Sequence, residues 1–106
     1  LHGNREIARL TTLIASFGDR ATEELYHGRG QSGRFPPTIV AGALRKLDML
    51  NAARRLMDLR SPPGNRLEAL KGRYRGLHSI RVNDQWRIVF RWIEPDASEV
   101  RLIDYH

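Results

Sequence analysis

The chain has 106 residues, a formal net charge of +6 and no cysteine. That length supports one domain with a single core, and 41 % apolar residues place it among globular rather than disordered chains. The missing thiols exclude a disulfide scaffold, a thiolate zinc site and a cysteine nucleophile, a composition that suits the cytoplasm.

Residues 1–13 read as an N-terminal extension and 14–106 as the domain proper. In the extension, Ile7 and Leu10 lead to Ile14 at helical spacing, enough for about two turns. The opening stretch has neither a long apolar run nor a small-residue cleavage pattern, so no secretory signal is read. "IASF" (14–17) reads as a short strand. A short helix over Thr22 to Tyr26 and then a mobile glycine-rich loop through "HGRGQSG" are expected.

A helix is expected to begin at Pro36 and Pro37, because a first turn tolerates a missing N–H. Val40, Ala43, Leu44, Leu47 and Leu50 recur three and four apart and form its core-facing stripe. A second helix, roughly Ala52 to Leu59, is expected after a bend. "SPPGN" (61–65) ends helix formation.

The apolar period then changes from near 3.6 to 2. "RLEAL", "LHSIRV", "WRIVFRWI" and "EVRLIDY" read as four strands, joined by "KGRYRG", "NDQ" and "EPDAS", links of the length that connect antiparallel neighbours. Trp86, Ile88, Phe90 and Trp92 share one face as core, and Arg87, Val89 and Arg91 share the other. His78 lies with Ile80 and Val82 and is expected to be packed, with its nitrogens satisfied. The order of elements predicts an α+β domain: a short N-terminal strand and helices packed on a four- to five-stranded antiparallel sheet. No apolar run approaches the ~18 residues of a membrane-spanning helix, so no membrane association is expected.

Charge is concentrated in the strand half. Arg66, Lys71, Arg73, Arg75, Arg81, Arg87 and Arg91 face only Glu68 and Asp84 between residues 66 and 91. Arginine's planar fork matches phosphate oxygens, and a basic stripe of this kind is the electrostatic footprint of a nucleic-acid binder. The four histidines lack metal-ligand spacing and no phosphate-binding glycine fingerprint occurs, so neither a metal nor a cofactor is expected. Cutting RNA without a metal needs a base for the ribose 2′-OH, a cation for the phosphorane and an acid for the leaving 5′-oxygen. Glu68 is the carboxylate of the first basic strand. Arg87 opens the longest strand, and Lys71 and Arg73 lie in the intervening turn. The closing "DYH" supplies Tyr105 and His106, and a histidine's ordinary pKa of ~6.5 suits an acid.

"GNRLEALKG", "SIRVNDQWRIVFRW" and the closing "DYH" resemble the HigB branch of the RelE-like toxins of bacterial toxin–antitoxin systems. Upstream, "SFGD", "ELYHG", "FPP" and "ALRKLDMLNAA" extend the resemblance over residues 14–106. It implies a compact toxin that enters the ribosomal A site, cuts mRNA there and is neutralised by HigA, an antitoxin with a helix-turn-helix domain. By position it also implies catalytic roles for Lys71, Arg87, Tyr105 and His106. Some HigB proteins carry a histidine three residues before the lysine, where this chain has Glu68. Other RelE-like proteins are similar in using a glutamate base, so the expected roles are Glu68 as base, Arg87 and Lys71 as phosphate stabilisers and His106 as acid. Tyr105 would orient the site or stack on a base. Arg73, Arg75, Arg81 and Arg91 are assigned to RNA backbone contacts. The alternative is a catalytically inactive toxin of the same fold, or a binding toxin that resembles the ParE-type relatives and acts on a non-RNA target such as gyrase. Glu68 and Lys71 can share a site only if their strand ends or bulges near Leu70, since positions three apart on a regular strand face opposite ways.

Overall fold

Local chemistry sets the start of each helix. Asp19, in extended conformation, accepts the Thr22 N–H at 2.8 Å and so caps α1, Arg20–Tyr26, two residues ahead of the expected start. Pro37 occupies the first turn of α2, Pro37–Ala52. The residues α2 buries are Ile39, Ala43, Leu47 and Leu50, while Val40 and Leu44 flank the core only half-buried. The core-facing stripe is thus centred nearer Ile39 than the sequence reading had it.

The structure, a computed structural model, describes residues 13–28 and 33–105. The helix expected in the N-terminal extension and most of the glycine-rich loop lie outside the described residues. The second helix expected over Ala52 to Leu59 does not form. Ala53 is extended (φ −70°, ψ 134°), and only a 3-10 turn, Leu56–Arg60, follows. The Asp58 carboxylate accepts the backbone N–H groups of Arg54 and Arg55, each at 3.0 Å, offering the chain a local alternative to another helical turn. These bonds, more than its arginine neighbours, hold the Asp58 carboxyl below the usual carboxylate range.

Four strands follow: β1, Glu68–Ala69; β2, His78–Arg81; β3, Trp86–Ile93; and β4, Asp96–Asp104. They form one sheet in the order β1-β2-β3-β4 with every neighbour antiparallel. β4 begins three residues earlier than expected, so the last hairpin turns through Glu94 and Pro95 alone. "IASF" is not a full strand. Ile14 and Phe17 make isolated parallel bridges to Ala97 and Val100, and the Leu102 N–H is taken instead by the buried Thr22 hydroxyl at 2.9 Å.

α1 and α2 cover one sheet face. Ile80, Ile88, Phe90, Val100 and Leu102 meet Ile39, Ala43, Leu47 and Leu50 there, and Trp86 and Trp92 pack at the margin, half-buried. His78 stacks on Phe90 (ring centroids 6.2 Å apart, 26° between planes), yet its Nδ1 is buried without a hydrogen-bond partner among the described residues. It is packed, as expected. The opposite face is not simply solvated. Leu70, Leu77 and Val89 are buried in a second cluster, with Tyr74, Ile103 and Tyr105 packed against it. An apolar floor therefore underlies the basic face.

Candidate functional site

The register of the sheet places Glu68 opposite Ser79, Ser79 opposite Val89, and Arg81 opposite Arg87. Alternation then puts Glu68, Ser79, Arg81 and Arg87 on the face away from the helices. Arg87 lies at the centre of the contacts there. Its Nε donates to the Ser79 hydroxyl at 2.7 Å, and its Nη2 donates to the Arg66 carbonyl at 2.8 Å. Nη2 is also 3.4 Å from the Glu68 carboxylate. The Arg87 side chain is only 12 % exposed, against 54 % for Glu68. Burial pulls the Arg87 pKa below the ordinary arginine value, and the nearby Glu68 carboxylate opposes that shift.

An aromatic wall adjoins this cation. The Tyr105 ring centroid lies 5.9 Å from the Arg87 guanidinium carbon and 5.8 Å from the Tyr74 ring, and Arg73 sits 5.4 Å from Tyr74. Arg73, Tyr74, Asp104 and Tyr105 line an open depression of about 240 Å³. Tyr105 is not frayed. Its N–H donates to the Gln85 carbonyl at 2.8 Å, and the Gln85 amide bonds the Asp104 carboxylate at 2.9 Å. The last strand is thereby held to the β2–β3 turn beyond its final ladder pair, Trp86 with Asp104.

Glu68, Arg87 and Tyr105 are thus brought together. β1 ends at Ala69, and Lys71 begins a 3-10 turn over Gly72–Tyr74, where Gly72 takes a positive φ of 65°. Strand parity therefore does not separate Lys71 from Glu68. Lys71 and Arg75 are exposed. Arg81 forms an ion pair with Asp84, and Arg91 bonds the Glu99 carboxylate at 3.0 Å. Both are surface pairs open to exchange for phosphate. His106 lies outside the described residues. No group of three or more His, Asp or Glu side chains able to hold a metal ion occurs among the described residues. The sequence reading passed over Ser79, the Arg66 carbonyl and Tyr74. Ser79 was discoverable, since a hairpin centred on Asp84 puts residues 79 and 87 on one face, but a backbone carbonyl leaves no mark in a sequence.

A small α+β protein with a basic, tyrosine-lined sheet face and helices on the other side has the RelE-like fold. The family model described as the RelE-like toxin of the type II toxin–antitoxin system HigB matches residues 15–106. The chain is 42 % identical over 90 residues to Toxin HigB-1 of Vibrio cholerae serotype O1, covering 85 % of this chain and 95 % of that one. It is also 33 % identical over 86 residues to an uncharacterised protein of Haemophilus influenzae, covering 81 % of this chain and 85 % of that protein. The chain belongs to the HigB-like toxin family of type II toxin–antitoxin systems. Membership implies an antitoxin as partner. No helix among the described residues is long and apolar enough to cross a membrane.

Proposed function

We propose that this toxin is a metal-independent, ribosome-dependent endoribonuclease that cuts mRNA in the A site and so arrests translation. The observation that carries the reading is Arg87, a nearly buried guanidinium fixed beside a carboxylate and a tyrosine on a basic face. A cation held in place before the reaction stabilises developing phosphorane charge without having to reorganise.

In this reading Glu68 removes the 2′-OH proton, and the 2′-oxygen attacks phosphorus. Arg87 and Lys71 stabilise the added charge. His106 protonates the departing 5′-oxygen, leaving a 2′,3′-cyclic phosphate and a free 5′-hydroxyl. Tyr105, adjoining both Arg87 and Tyr74, orients the site or stacks on a base. Arg73, Arg75, Arg81 and Arg91 contact RNA backbone, the latter two by giving up Asp84 and Glu99. The need for a ribosome is supported by the shape of the site. The depression beside Tyr105, about 240 Å³, is open and smaller than the ~300–1,000 Å³ of enclosed small-molecule sites, in keeping with a substrate aligned from outside the protein. The toxin domain spans residues 14–106 and acts in the cytoplasm, where its substrate is. A HigA-like helix-turn-helix protein is the proposed antitoxin.

The test is cleavage of an mRNA by purified protein with and without programmed ribosomes, with cut sites mapped by primer extension beside Arg87→Ala. Cuts that need both the ribosome and Arg87 are expected. A folded protein that makes no cuts on ribosomes with an open A site would refute the reading and favour a gyrase-type binding toxin.

A further inference from the structure

We propose that Ser79 is a positioning residue for the cleavage reaction, fixing the Arg87 guanidinium through a hydrogen bond to Nε. The inference rests on the reading of Arg87 as the phosphate-stabilising cation. Ser79 is fully buried in mid-strand, between Glu68 on β1 and Val89 on β3 in the cross-strand row. A buried hydroxyl needs a partner, and this one accepts from Arg87 Nε at 2.7 Å. An apolar residue of similar size would pack equally well beside Val89 and the neighbouring Leu70–Leu77 cluster, so packing alone gives no reason for an oxygen here.

The hydroxyl and the Arg66 carbonyl hold adjacent nitrogens along one edge of the guanidinium, Nε and Nη2. Two acceptors on a planar group fix its orientation as well as its position. Nη1 has no hydrogen-bond partner among the described residues and is the donor left for a phosphate oxygen. The second anchor is itself braced. Arg66 adopts a left-handed conformation (φ 47°, ψ 55°) directly after Asn65. The buried Asn65 side chain donates to the Leu59 carbonyl at 3.0 Å and accepts from Lys46 on α2. The loop that presents the Arg66 carbonyl is thereby tied to the helix layer, while Ser79 ties the same guanidinium to the sheet.

Two readouts on the full chain test this. The first is solvent exchange of the Arg87 Nε–H by NMR, with the resonance assigned by its loss in Arg87→Lys. Slow exchange in the unaltered protein, accelerated in Ser79→Ala and retained in Ser79→Thr, is expected. Rapid exchange in the unaltered protein would overturn the proposal without needing any Ser79 variant to fold. The second is single-turnover mRNA cleavage on programmed ribosomes. Ser79→Ala should lower the rate constant about 10–100-fold, the range for loss of a residue that orients a reacting group, at an unchanged half-saturating toxin concentration. Ser79→Thr should recover most of the rate. A rate equal to that of the unaltered protein, or a loss confined to the half-saturating concentration, overturns the positioning role while Arg87-dependent cleavage still stands. If the unaltered protein makes no Arg87-dependent cuts, the nuclease reading fails and this inference falls with it, so the Arg87→Ala lane distinguishes the two failures.

Discussion

Replacing Glu68 with Gln separates a structural ion pair from a general base, because the two roles predict effects of very different size. The carboxylate lies 3.4 Å from Arg87 Nη2. At that distance Coulomb's law gives about 1 kcal/mol in water and about 5 kcal/mol at an effective dielectric of ~20. Since the Glu68 side chain is 54 % exposed, solvent screening brings the contribution to stability down to about 0.2–1 kcal/mol. Gln also keeps an oxygen in place, and Arg87 retains its bonds to Ser79 and Arg66. Urea denaturation should therefore show a loss below about 1 kcal/mol. A general base contributes about 10²–10⁴-fold to rate, and amide oxygen cannot replace it. Single-turnover cleavage on programmed ribosomes should fall by at least about 100-fold in Glu68→Gln. A variant that cleaves at the original rate would refute the assignment of Glu68 and reduce it to a partner of Arg87. A large loss of stability accompanying the rate loss would instead show that Glu68 holds the site together.

Two further outcomes concern the scaffold. Thr22→Val keeps the side-chain shape but leaves the buried Leu102 N–H without its acceptor, and should cost about 1–3 kcal/mol in thermal melts, with Thr22→Ser losing less; a change under about 0.5 kcal/mol would show that this bond does not hold α1 to β4. Asp58 titrates below the ordinary value of 3.8 in the folded chain, so its contribution to stability is complete above that value and is lost as pH falls through the lower, folded one. Asp58→Asn should accordingly flatten the acid limb of urea midpoints measured from about pH 7 to about pH 2, and an unchanged limb would contradict the sign of the shift.

The elements written in long periodic runs were legible. α2 and the β2–β3 hairpin fall where proline placement and the change of period put them, because each depends on residues adjacent in the chain. Two failures came from side chains competing with the backbone. Asp58 captures the N–H groups that another helical turn would have used, and the Ser16 hydroxyl takes the Glu99 N–H at 2.9 Å, between the two isolated bridges of "IASF". The apolar floor under the basic face was missed because Leu70, Leu77 and Val89 come from three separate segments and meet only once the register is set. The same holds for the cradle of Arg87. Its basic neighbours could be read one by one, but a serine hydroxyl eight residues away and a carbonyl from a left-handed residue become partners only through pairing and loop geometry.

This explains how Tyr105 can belong to the proposed site. A terminal segment carries little cost for disorder unless something binds it. Here the last ladder pair of β4 is Trp86 with Asp104, and the Tyr105 N–H reaches one residue further to Gln85. The Tyr105 ring then rests on the second apolar cluster beside Tyr74 and within 5.9 Å of Arg87. The hydrophobic contact and the backbone bond act on the same residue from two directions, so neither the ring nor the main chain is left to fray. Arg87 is fixed from the other side by Ser79 and Arg66. The aromatic wall and the cation are therefore each held by several elements of the folded chain. In the proposed reading, pre-organisation of this kind lets an open site act on an RNA that the ribosome aligns.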